Sequence, residues 1–131
     1  MIKRIMAWFL LLPMAALAIE PAHLLSMRIQ PSHDSTHFIF ILSKKTSATV
    51  TYAPNPDRVL VDFSSTDKRS NIQQAKLAGA NVETIDSNEL PGGMLRFTLT
   101  THGAVKWTTR FLPGDTANTV QFQLDVMSTK Y

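Results

Sequence analysis

Apolar and polar residues alternate with a period of two along most of this chain, which predicts strands rather than helices. Val120, Phe122, Leu124 and Val126 interleave with Gln121, Gln123 and Asp125, the pattern of a strand with one buried and one wet face. Leu95, Phe97 and Leu99 interleave in the same way with Arg96, Thr98 and Thr100, and Val105, Trp107 and Phe111 with Lys106, Thr108 and Arg110. In the first half the corresponding runs are 24–30, 38–43, 48–53 and 58–63. Phe38-Ile39-Phe40-Ile41-Leu42 is apolar on both sides, so this strand is expected to be covered on both faces.

Turn chemistry separates the runs at Pro31-Ser32-His33-Asp34-Ser35, Pro54-Asn55-Pro56-Asp57, Pro91-Gly92-Gly93 and Pro113-Gly114-Asp115. Only residues 70–78 read as helical, with Ser70 as N-cap and Gly79 as the stop. A weak internal repeat is also present: a shift of 57 residues lays Phe38 to Ser43 on Leu95 to Thr100, Val50 on Trp107 and Pro56 on Pro113. Each half then reads strand, turn, strand, strand, turn, strand. The expected fold is all-β, a β-sandwich of two roughly symmetric four-stranded sheets with at most one short helix in the linker. A partly open barrel of the same strands is the alternative.

The first residues change the length of the chain that folds. Met1-Ile2-Lys3-Arg4 is a basic start, residues 5–17 are apolar around Pro13, and Ala16-Leu17-Ala18 offers small residues where a signal peptidase reads. Residues 1–18 are thus predicted to be a cleavable signal peptide, cut after Ala18, since the apolar run is well short of the roughly 20 residues that span a membrane. No membrane span is expected after its removal. Residues 19–131 are expected to form a single domain, large enough to bury a core without disulfides; the chain has no cysteine.

Charge narrows the partners. Removing Lys3 and Arg4 from the 13 basic residues leaves 11 against 10 acidic ones, a net charge of +1. That argues against nucleic acid, which calls for a strong positive field. Lys44-Lys45 and Lys68-Arg69 are isolated doublets of the kind found at solvated loop ends.

Residues that would carry catalysis are not gathered. There is no thiol, no G-x-S-x-G turn and no H-E-x-x-H; His23, His33, His37 and His102 read as ordinary surface histidines. Asp62, Glu83, Asp86 and Glu89 include no two that the pattern sets across a cleft. No enzyme, metal or cofactor is expected. Arg58 and Asp62 bracket one strand, but four extended steps separate their Cα atoms by roughly 13 Å, so they cannot bond each other. The outward phase of the second-half strands carries Arg96, Thr98, Thr100, Lys106, Thr108, Arg110, Gln121 and Gln123. These residues make either a donor-rich binding face or an ordinary wet sheet face, where Thr and Gln are good strand residues. Trp107 falls in the core phase.

Three stretches carry a resemblance: Asn55-Pro56-Asp57-Arg58-Val59-Leu60-Val61-Asp62-Phe63, Leu77-Ala78-Gly79-Ala80-Asn81-Val82-Glu83-Thr84-Ile85, and Leu95-Arg96-Phe97-Thr98-Leu99. Their order and spacing resemble the AMIN domain, a bacterial envelope module found beside cell-wall amidases and type IV pilus secretins. The chain departs from the family where Asp86 and Thr119 stand in place of frequent basic residues. No amidase or secretin region follows, so the module is expected to stand alone. The resemblance implies a symmetric β-sandwich in the periplasm that binds peptidoglycan without catalysis and localises to the cell wall. Arg58, Arg96, Thr98, Lys106, Arg110, Gln121 and Gln123 are then the expected contacts to its carboxylates and amides. The alternative is a protein-interaction adaptor in an envelope assembly, such as a pilus or secretin complex, using an edge strand or the loop at Pro91-Gly92-Gly93.

Overall fold

Each alternating run becomes a strand in the computed structural model, which describes residues 20–32, 34–69, 75–76 and 81–129. In chain order the strands are β1 (Ala22–Pro31), β2 (Ser35–Leu42), β3 (Ala48–Ala53), β4 (Arg58–Phe63), β5 (Thr66–Lys68), β6 (Ala75–Lys76), β7 (Val82–Leu90), β8 (Met94–Thr101), β9 (Val105–Pro113) and β10 (Val120–Ser128). They form two five-stranded sheets, sheet I in the order β5-β1-β2-β10-β9 and sheet II in the order β3-β4-β8-β7-β6. The sheets share one apolar core, which makes the fold the expected β-sandwich. Among the described residues there is no helix, and so none long and apolar enough to cross a membrane.

The two halves of the chain do not form one sheet each. Hairpin β1–β2 lies in sheet I beside β9–β10, and hairpin β3–β4 lies in sheet II beside β7–β8. The segments 43–47 and 102–104 leave one sheet for the other. Replacing β1, β2, β3 and β4 by β7, β8, β9 and β10, and the reverse, converts one four-strand order into the other. The internal repeat is therefore real in topology, with its hairpins exchanged. In this arrangement β2 and β8, which supply Phe38, Phe40, Phe97 and Leu99 to the core, each sit between two other strands that cover their edges.

A fifth strand extends each sheet. Residues Thr66–Lys68 run parallel to β1, and Ala75–Lys76 pair with Ile85 and Thr84 of β7. The helix predicted over 70–78 is thus corrected at residues 75–76; its other positions lie outside the described residues. Nine residues are too few for a helix without strong support, whereas an open sheet edge supplies ready backbone partners.

Turn chemistry follows the sequence. Asn55 takes φ +58° before a cis peptide to Pro56, a left-handed conformation that Asn tolerates. Gly92 and Gly93 hold φ +87° and +80° in the β7–β8 turn, where a side chain would strain the backbone. The carbonyl of Asp57 accepts from Thr101 N at 2.9 Å and from Thr101 Oγ1 at 3.2 Å, tying the Pro-Asp turn to the end of β8.

Inward residues from both sheets meet at Phe40, whose ring lies 5.2 Å from Phe63, 5.0 Å from Phe97 and 6.1 Å from Phe122. Val59, Val61 and Phe63 are buried with them, and Trp107 packs half-buried against the cluster as its phase predicts. In β2 the outward Ile39 is also buried, at 7% exposure, while Ile41 is half-buried. One polar strut crosses the core's end: buried Asn81 accepts from Thr36 Oγ1 at 2.8 Å and donates through Nδ2 to the Val126 carbonyl at 2.9 Å. Its own carbonyl accepts from His102 N. A buried amide is tolerated because its donor and acceptor are both satisfied.

Candidate functional site

Ladder register assigns each outward side chain to a row across its sheet. On sheet I, Arg28 lies opposite Ile39, Ile39 opposite Gln123, and Gln123 opposite Arg110, so one row crosses β1, β2, β10 and β9. The next row holds Gln30, His37, Asp125 and Thr108. Between β2 and β9 these rows enclose a shallow pocket of about 320 Å³, lined by His37, Thr108, Thr109, Arg110, Gln123 and Asp125. Its walls are polar because it sits over the outward polar residues of β9 and β10 and His37 of β2, away from Ile39 and Ile41.

Hydrogen bonds order this face. Arg110 Nε donates to Gln123 Oε1 at 3.2 Å, and Gln123 Nε2 donates to Gln121 Oε1 at 3.0 Å. His37 Nδ1 lies 2.5 Å from Asp125 Oδ1, a pair that ties β2 to β10 and occupies the one carboxylate of the pocket. Among the described residues neither Arg28, Lys106 nor Arg110 has a carboxylate within ion-pair distance. All three are exposed.

The outward face of sheet II is arranged differently. Its row runs Thr49, Asp62, Arg96 and Asn88, and the Arg96 guanidinium grips the Asp62 carboxylate with two bonds, Nε to Oδ1 at 2.8 Å and Nη2 to Oδ2 at 3.0 Å. Bidentate geometry is the strong form of this contact. The hydrogen bonds that Arg96 donates to Asp62 raise the pKa of its guanidinium above the ordinary value, the carboxylate's charge acts in the same direction, and burial acts against it. Arg58 turns back on its own loop, Nε donating to the Pro56 carbonyl at 3.2 Å. Beside it, exposed Tyr52 donates its hydroxyl to Asp57, which raises the phenol's pKa. Of the two arginines on this face, Arg96 is matched by Asp62, while Arg58 bonds a backbone carbonyl and Asp86 stands opposite Thr98.

The residues that the sequence groups as one binding face are therefore divided. Lys106, Arg110, Gln121 and Gln123 lie together on sheet I, with Lys106 toward a second pocket of about 440 Å³ that Ser35 and Met127 also line. Arg96, Thr98 and Thr100 lie on sheet II with Arg58. This corrects the expectation that all second-half strands share a sheet, and its cause is the exchange of hairpins. Arg28 and the His37–Asp125 pair escape sequence reasoning. Both sit on outward phases, but a single sequence does not say that β1, β2 and β10 are neighbours.

No curated protein matches the chain. A family model described as AMIN domain matches residues 26–124, from within β1 to within β10, and so spans both hairpin exchanges and both outer faces. AMIN domains are envelope modules that bind peptidoglycan, and by that match this chain belongs to the AMIN domain family.

Proposed function

We propose that this protein is a noncatalytic periplasmic module that binds peptidoglycan and localises to the cell wall, through the outer face of sheet I. Residues 1–18 act as the export signal and are removed after Ala18. The observation that carries the choice of face is Arg110: its guanidinium is exposed in a polar pocket and bonded only to an amide among the described residues. Arg96, by contrast, is already matched by Asp62.

Peptidoglycan presents sugar hydroxyls, acetamido groups and stem-peptide carboxylates. Arg110 and Lys106 supply the cations for the carboxylates; Gln121, Gln123 and Thr108 supply donors and acceptors for the amides and hydroxyls. Each contact is exposed and replaces water, so a single site is weak and the output is localisation. On sheet II, Arg58 and Arg96 remain contacts only if a ligand can displace the Pro56 carbonyl and the Asp62 carboxylate, with Thr98 beside Arg96 on the same strand.

Cosedimentation of the mature protein with purified sacculi tests this reading. Wild type and Arg96→Ala are expected in the pellet, and Arg110→Ala largely in the supernatant. Wild type in the supernatant at every salt concentration overturns wall binding. A discrete protein adduct in cells that survives muramidase digestion would then support the adaptor role.

A further inference from the structure

Resting on the proposal that sheet I binds the wall, we infer that its ligand is the uncross-linked stem peptide, held as a dicarboxylate between Arg28 and Arg110. These two arginines end the same row, with Ile39 and Gln123 between them. Three strand spacings of about 4.8 Å set their Cα atoms about 14 Å apart. Both are exposed, and among the described residues neither meets a carboxylate.

The middle of the row decides what kind of anion fits. Ile39 is buried and Ile41 half-buried beside it, so the floor between the cations is apolar along β2 and carries amides along β10. An extended peptide with small apolar side chains and carboxylates about four residues apart spans the same distance, at roughly 3.3 Å per residue. Its methyl groups meet the isoleucines, its backbone amides meet Gln121 and Gln123, and each carboxylate takes a two-point guanidinium contact. A neutral sugar strand offers the arginines nothing ionic. Cross-linking converts a terminal carboxylate into an amide, so it removes one end of the match. Asp125 stands in the next row, with its Oδ1 on His37, and has no ion pair with Arg28 or Arg110 among the described residues.

The test is titration calorimetry with three probes: a disaccharide-tetrapeptide with free carboxylates, the same compound with its carboxylates amidated, and chitotetraose. Sacculus pelleting runs in parallel. The free-acid muropeptide is expected to bind, with amidation and Arg28→Ala each weakening it roughly tenfold. Arg28→Gln keeps the aliphatic stem and is expected to weaken binding equally, which decides the matter should Arg28→Ala lower the melting temperature. Equal binding of the amidated compound or of chitotetraose overturns the dicarboxylate reading. If sacculi still pellet the protein in that case, wall binding stands without it. Failure of sacculi to pellet the protein overturns both.

Discussion

The two outer faces of this sandwich occupy equivalent places in a repeated topology, yet they treat arginine in opposite ways. On sheet II Arg96 stands on the central strand β8 with a carboxylate directly across from it on β4, while Arg58 at the start of β4 bonds back to the Pro56 carbonyl. On sheet I the position opposite the central strand is Gln123, and the arginines have moved to β1 and β9. Inside, the halves are alike: Phe40 and Phe97, related by the 57-residue shift, are both 0% exposed and 5.0 Å apart. The difference teaches that a cation's value for binding depends on its cross-strand neighbour. One carboxylate placed opposite turns a ligand contact into a brace.

If the halves differ only on their outer faces, equivalent core positions should matter equally. Phe40→Ala and Phe97→Ala are each expected to destabilise by about 3–5 kcal/mol, measured by urea unfolding, because each leaves a ring-sized cavity. A gap of more than about 1 kcal/mol between them would break the equivalence. Next in size is the brace itself. Removing one partner of a fully buried pair costs about 3–5 kcal/mol, but Arg96 is 35% exposed and water screens it, so Asp62→Ala is expected to cost about 1–2 kcal/mol. An unchanged midpoint for Asp62→Ala would mean that sheet II does not use the pair.

Much of this fold is legible in the sequence, and what is not has a common cause. The runs around Phe97 and Leu124 announce strands because side chains alternate every residue, a local property. Turns at Asn55 and Gly92 are legible for the same reason: φ is set locally. Strands β5 and β6 are too short to carry a period. Neighbours across the sheet are invisible without pairing information: Asp62 meets Arg96 from 34 residues away, and His37 meets Asp125 from 88. The sequence could therefore assign Arg96 and Arg110 to outward phases, but not tell which was already matched.

That lesson can be turned into a substitution. Gln123→Glu sets a carboxylate opposite Arg110, as Asp62 is set opposite Arg96, and so gives sheet I the row chemistry of sheet II. Retention on sacculi is expected to fall roughly tenfold, about 1.4 kcal/mol, since the new carboxylate competes for the guanidinium. Undiminished retention would show that Arg110 does not bind through its charge.

The smallest expected effect separates binding from bracing most cleanly. Arg110 is exposed and among the described residues bonds only Gln123, which itself donates to Gln121. Arg110→Ala should therefore change unfolding free energy by less than about 0.5 kcal/mol while releasing the protein from sacculi. Raising ionic strength should mimic it, because at 0.1 M salt the field of an exposed charge is screened within about 10 Å. Asp62→Ala should do the reverse, losing stability and keeping retention. If Arg110→Ala instead unfolds the domain as much as Asp62→Ala, the guanidinium on sheet I is a brace too, and the two faces are equivalent after all.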